Sequence, residues 1–165
     1  AIRDNDPVLF MESEKMYGDK FEVPEEEYFI PIGKAHIEKE GTDVTLVSFG
    51  KMMKIAHLAA EEMAKEGHSV EVINLRTIRP LDVDTIVKSV QKTKRLVVLE
   101  ESFPFGSIST EITYNVQKYA FDYLDAPIRR VTQSDTPFPF SPSLIAIATP
   151  GVEATIKGLK EVMYL

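Results

Sequence analysis

From residue 43 onward the chain alternates between short runs of β-branched and aliphatic residues and stretches long enough to be helices, and this alternation limits the folds open to it. Val44–Phe49, Val70–Leu75, Leu96–Leu99 and Ile128–Val131 read as strands. Between them Met52, Ile55, Ala56, Ala59 and Met63 fall on one helical face, with Gly67 suited to the left-handed turn that ends such a helix. Asp82 stands as an N-cap before Val83, Ile86, Val87 and Val90. Ile108, Ile112, Val116 and Ala120 line up in a third helix, and Val152, Ile156, Leu159 and Met163 in a last one beginning at about Gly151. Parallel strands joined by helices need right-handed crossovers, which cover both faces of the sheet. The predicted fold is α/β, a three-layer sandwich whose mostly parallel sheet has an antiparallel edge strand.

The antiparallel strand is expected at Gly33 to Lys39, turning at Glu40-Gly41-Thr42 to lie beside the first core strand. Upstream, Pro7–Met11 reads as one short strand, followed by an acidic, irregular passage through Pro24-Glu25-Glu26-Glu27 that looks like an interdomain linker. Two portions result: 1–42, the end of a preceding domain with a linker and edge strand, and 43–165, the α/β domain. A start at Ala1-Ile2-Arg3, without an initiator methionine or the apolar stretch of a signal peptide, predicts a piece of a longer polypeptide.

Composition narrows the partners. A net charge of −7 and a pI near 5.0 disfavour nucleic acid and anionic membrane, both of which demand a basic surface. The absence of cysteine excludes disulfides, thiol nucleophiles and sulfur-ligated zinc, and no apolar stretch approaches the ~18 residues of a membrane span.

Catalytic patterns are missing. The sequence has no Gly-x-Gly-x-x-Gly turn, Walker loop, Gly-x-Ser-x-Gly elbow or His-Glu-x-x-His helix. His36, His57 and His68 fall in different elements, and each reads as an ordinary surface or half-buried histidine. Glu100 and Glu101 end the third strand, where open α/β sheets bind ligands, but neighbours on an extended chain point to opposite sides. A capping, interface or solvated role suits them better than acid–base work. Arg76 and Arg79 are expected to make a structural ion pair in the loop leading to Asp82, in preference to binding an anion. The stiff aromatic segment Thr136–Pro142 suits a loop packed on another surface. On these grounds a free-standing anion- or nucleotide-binding α/β domain built on Glu100, Glu101 and the strand ends remains a rival reading.

In order along the chain, Ile2-Arg3-Asp4-Asn5-Asp6-Pro7-Val8, Met16-Tyr17-Gly18, Phe29-Ile30-Pro31-Ile32-Gly33-Lys34-Ala35, Leu75–Asp82 and Leu124-Asp125-Ala126-Pro127 resemble the second half of the beta subunits of 2-oxo acid dehydrogenase decarboxylating components. Pro-Ile-Gly-Lys-Ala is most similar to the pyruvate dehydrogenase branch; branched-chain 2-oxo acid and acetoin dehydrogenases are the alternatives within the family. The resemblance implies a transketolase C-terminal domain from about Asp43. It also implies a parent enzyme that oxidatively decarboxylates pyruvate with thiamine diphosphate and magnesium, both held by parts other than residues 1–165, so that this chain alone is inactive. The implied partners are an alpha subunit, a second beta subunit in an alpha2beta2 assembly, and the basic subunit-binding domain of dihydrolipoyl acetyltransferase. The implied acceptors for that basic domain are Asp125 and the carboxylate of Leu165 where it ends the chain. The resemblance further implies a monovalent cation, potassium, near Ala1, through its carbonyl, and Asp4 and Asp6, completed by ligands upstream; Asp6 replaces the family's usual asparagine. The location would be cytoplasmic in a bacterium, and the mitochondrial matrix or plastid in a eukaryote. At Ser107-Ile108-Ser109-Thr110-Glu111-Ile112 the family often has Gly-x-Gly-Ala-Glu-Ile, and the serines are expected to cap the helix with their hydroxyls.

Overall fold

Gly41 sits so close to the backbone of the third strand in the sequence that an added Cβ would lie 2.2 Å from the Glu71 nitrogen and 2.3 Å from the Val70 carbonyl carbon. The chain crosses the start of that strand here. In the computed structural model, which describes residues 1–165, β1 is His36–Lys39, β2 Val44–Ser48, β3 Val70–Asn74, β4 Leu96–Leu99 and β5 Arg129–Val131. They form one sheet in the order β1-β3-β2-β4-β5. β2 pairs in parallel with both β3 and β4, and β4 in parallel with β5. β1 is antiparallel, as expected, but its neighbour is β3, with His36 opposite Asn74 and Ile37 opposite Ile73. The expected turn onto β2 does not form. The chain instead passes over the start of β3 at Gly41, where the Gly41 N–H donates to Glu71 Oε2 at 3.2 Å.

Helices cover both faces. α1 (Met52–Lys65) and α5 (Val152–Met163) pack on the side of Val44, Leu46, Val70, Val72, Val97 and Leu99; α2 (Val83–Thr93) and α3 (Ile108–Ala120) pack on the side of Val47, Ile73, Leu96 and Val98. The period-two alternation of each strand thus feeds two cores. A polar exception lies in the second core, where Thr45 Oγ1 is 2.6 Å from both Ser89 Oγ and Thr93 Oγ1, giving all three buried hydroxyls partners. Gly158 lets α5 approach β5, since a Cβ there would meet Val131 Cγ2 at 2.8 Å.

Local expectations fare unevenly. Gly67 follows α1 with φ of 89°, and Asp82 caps α2 by accepting from the Thr85 N–H at 3.2 Å. Lys94 and Tyr164 end α2 and α5 in the left-handed region without glycine. Pro7–Met11 is not a strand: Leu9, Phe10 and Met11 are exposed, and no other segment pairs with them. Arg76 and Arg79 make no ion pair and are exposed; Asn74 Oδ1 instead accepts the Arg76 backbone N–H at 3.1 Å. Pro142 opens a further short helix, α4 (Pro142–Ala148), a position where its missing N–H costs nothing.

Candidate docking surface

Leu124-Asp125-Ala126-Pro127 delivers the chain into β5. Ala126 is buried against the first core, and Pro127 biases the residue before it to an extended backbone, so the side chain of Asp125 projects from an anchored segment. The Asp125 N–H donates to the Lys94 carbonyl at 2.9 Å, tying this segment to the end of α2. Its carboxylate lies 3.8 Å from the Arg95 guanidinium and is 55% exposed, which leaves hydrogen-bonding capacity free. Arg95 reaches inward as well, donating to the Asp43 carbonyl at 3.4 Å.

Leu165 follows the end of α5. Tyr164 N–H donates to the Glu161 carbonyl and Leu165 N–H to the Lys160 carbonyl at 3.1 Å, closing the last turn. The Tyr164 hydroxyl then donates to the Asp125 carbonyl at 3.2 Å. The structure therefore brings the Tyr164 side chain to the Asp125 backbone across 39 residues. Leu165 lines a concavity of about 440 Å³ together with Glu153, Ile156, Lys157, Lys160 and Glu161 of α5. Tyr164 was not signalled by the sequence, because its role depends on a contact with no local period.

The other candidate residues go elsewhere. Glu100 is fully buried, with Oε2 accepting from Ser102 Oγ at 2.8 Å and Oε1 from the Ser109 N–H at 3.3 Å. It therefore caps α3. The expected serine caps do not form, because Ser107 Oγ is 2.8 Å from Ser109 Oγ and a carboxylate already occupies the helix start. Glu101 pairs with Lys51. His57 Nε2 meets Glu38 Oε2 at 2.5 Å, and Glu38 Oε1 accepts from Asn74 Nδ2 at 2.7 Å, so the three tie α1, β1 and β3 together. Burial pushes the Glu38 carboxyl up, but the hydrogen bonds from Asn74 and His57 and the nearby imidazoles outweigh it and hold it below the usual carboxylate range.

A second polar cluster was not foreseen. Glu71, fully buried on β3, accepts from Gly41 and from Lys92, while its Oε1 has no partner. Lys92 also bonds Glu40 Oε2 at 2.9 Å, and these hydrogen bonds, Glu71 foremost, raise its pKa. A glutamate inside the aliphatic run Val70-Glu71-Val72-Ile73 is the signal that could have found it.

Ala1, Asp4 and Asp6 lie together on an exposed turn. The Ala1 carbonyl accepts the Asp4 N–H at 3.2 Å, and Asp4 Oδ1 the Asp6 N–H at 2.9 Å. Those donors are partly engaged with one another, and no group of three or more His, Asp or Glu side chains is arranged to hold a metal ion. By themselves they do not make a cage for a hard cation. No helix is long and apolar enough to cross a membrane.

Comparison with known proteins adds the lineage. Pyruvate dehydrogenase E1 component subunit beta of Rhizobium meliloti (strain 1021) is 48% identical over 165 residues, covering 99% of this chain and 36% of that protein. Pyruvate dehydrogenase E1 component subunit beta-1, mitochondrial, of Arabidopsis thaliana is 49% identical over 168 residues, covering 99% of this chain and 46% of the relative. The chain thus spans half or less of the length of these curated relatives. Among solved structures, a split gene transketolase described as an inactive beta4 tetramer superposes with a TM-score of 0.74 over 87% of this chain and 46% of the other, at 23% identity, a likeness of fold. The family described as "Transketolase, C-terminal domain" matches residues 33–154, from just ahead of β1 into α5, and the chain belongs to that family.

Proposed function

We propose that residues 1–165 are the C-terminal part of the beta subunit of a pyruvate dehydrogenase (acetyl-transferring) E1 component, acting as its assembly and docking portion. The observation that carries this reading is near-half identity to E1 beta subunits along the whole chain, including residues 1–32, which lie outside the transketolase match. The parent enzyme decarboxylates pyruvate oxidatively with thiamine diphosphate and magnesium, and other parts of the assembly hold the cofactor. Residues 1–42 form the end of the preceding domain, the linker and the edge strand; 43–165 form the docking domain. The exposed Leu9, Phe10, Met11, Phe21 and Phe29 suit burial by that preceding domain or by an alpha subunit in an alpha2beta2 assembly.

In this reading Asp125 and the carboxylate that Leu165 carries at a chain end receive Arg or Lys side chains of the acetyltransferase's subunit-binding domain. The Ala1 carbonyl, Asp4 and Asp6 contribute to a potassium site that other segments complete. The protein works in the cytoplasm of a bacterium, or in the mitochondrial matrix or plastid of a eukaryote.

The test compares two preparations. The full-length beta subunit carrying this chain, assembled with its alpha subunit, should turn over pyruvate in a thiamine diphosphate-dependent assay. Residues 1–165 alone should neither turn over pyruvate nor bind the cofactor. Saturable cofactor binding by the short chain, or an assembled enzyme that ignores pyruvate, would overturn the proposal.

A further inference from the structure

We propose that the open edge of β5 is a binding site for an extended segment that alternates acidic and apolar residues and adds to the sheet as a sixth strand. β5 ends the sheet order, so one of its sides has no neighbouring strand. The Val131 carbonyl accepts the Glu100 N–H on the β4 side, and the parallel register pairs Val98 with Arg130. By alternation the backbone N–H and C=O of Arg130 and Thr132 point away from β4. No backbone hydrogen bond from a turn or loop reaches either residue. A cleft of about 660 Å³ runs along this side, bounded by Pro104, Ile128 and Lys157 as well as the strand.

Its charge runs against that of the molecule. In a chain of net charge −7, Arg129, Arg130 and Lys157 gather at one cleft. Arg129 shares Nε with Glu161 at 2.9 Å, Arg130 donates to the Pro104 carbonyl at 2.8 Å, and neither Arg130 nor Lys157 has a carboxylate partner. The two faces differ. Arg129 lies on the α5 face with Val131, near Gly158, where Lys157 also stands, while Ile128 packs toward the opposite core. By alternation Arg130 shares the Ile128 face, where the Pro104 carbonyl holds its guanidinium, so an added strand would set acidic side chains toward Arg129 and Lys157 and apolar ones toward Ile128 and Pro104. Main-chain bonds supply adhesion in such strand addition, and alternate side chains supply selectivity. A second copy of this chain suits the edge poorly, because antiparallel pairing of two β5 strands would gather Arg129 and Arg130 of both copies at one seam.

The test uses the full-length protein carrying this chain, in its native assembly, and a fluorescein-labelled peptide alternating Val and Glu over seven residues, read by anisotropy. Saturable binding is expected, with no binding of the matching Val/Lys peptide. Lys157→Glu, on the exposed face of α5, should weaken binding about tenfold by reversing charge. Thr132→Pro, which removes an outward N–H and no ladder bond, should weaken it by a similar factor. Absence of saturable binding up to about 1 mM overturns the proposal. Loss in Lys157→Glu with full binding in Thr132→Pro overturns strand addition, leaving only charge attraction. Concentration-dependent self-association that Thr132→Pro abolishes overturns it in favour of a second copy.

Discussion

The Tyr164 hydroxyl donates to the backbone carbonyl of Asp125 at 3.2 Å, tying the end of α5 to the segment that leads into β5. This bond holds two distant parts of the chain together, and for the proposed docking such preorganisation lowers the ordering cost of binding. Tyr164→Phe keeps the ring and removes the bond. Under the proposed function, the expected result in the assembled E1 component is several-fold weaker binding of the acetyltransferase's subunit-binding domain by calorimetry, with pyruvate turnover unchanged.

Asp125→Asn should act more strongly at the same surface. The carboxylate is half exposed and only loosely engaged by Arg95, so its contribution depends on desolvation by the partner. A loss of about 2 kcal/mol in binding is expected, together with a shallower salt dependence of association. Unaltered affinity and salt dependence would remove Asp125 from the docking surface.

Gly41→Ala and Gly158→Ala should separate two kinds of close approach. At Gly41 the new methyl meets the backbone of β3, which cannot move without breaking the ladder; at Gly158 it meets the methyl of Val131, a side chain able to shift. Expected losses in denaturant unfolding are about 3 kcal/mol or more for Gly41→Ala and about 1 kcal/mol for Gly158→Ala. The reverse order would show that the crossing over β3 is looser than described.

Glu100→Ala should destabilise the domain by about 2 kcal/mol, because the Ser109 N–H at the start of α3 loses its buried acceptor. Activity of the assembled enzyme, measured at a temperature where the variant is folded, should be unaffected. A collapse of turnover with intact stability would instead give Glu100 a chemical role.

Acid should loosen the segment that leads into β1. Burial pushes the Asp82 carboxyl up, but the Ala35 N–H at 3.0 Å and the hydroxyl and N–H of Thr85 prevail and hold it below its ordinary value. Glu38 is lowered too, as described above. A carboxyl whose pKa is lower folded than unfolded contributes stability that is present above the unfolded pKa of about 4 and is lost as pH falls through the folded one. Amide protection at residues 35–39, corrected for the intrinsic exchange rate, should therefore fall below about pH 4. Asp82→Ala should lower stability at pH 7 by about 1 to 2 kcal/mol and flatten the acid dependence.

The parts of the fold readable in the sequence are those whose reasons are local. β2, β3 and β4 announced themselves by aliphatic runs, and α1, α2, α3 and α5 by apolar stripes at helical spacing, because each buries one face on a continuous core. The neighbour of β1 was not readable, since a turn-like Glu40-Gly41-Thr42 looks the same whether it forms a hairpin or crosses a strand. Pro7–Met11 has strand composition but no partner among residues 1–165, and pairing needs two strands. α4 was hidden by the prolines around it. At the proposed docking surface Asp125 and Leu165 came from resemblance, whereas Tyr164 and Arg95 needed geometry. Capping is one of the roles the sequence allows Glu100, and the structure gives it that role in place of the serines.

Because β1 pairs with β3 and not with β2, its backbone has no partner until the chain has been made through Asn74. At ~5–20 residues per second a ribosome takes about 2 to 7 s to advance from Lys39 to Asn74. During that interval any structure upstream of His36 is attached to a core not yet able to receive it. The edge strand is thus a clasp that closes after β2, α1 and β3 exist, and the bonds just ahead of it, from the Gly33 N–H to Thr77 and the Ala35 N–H to Asp82, must form later still.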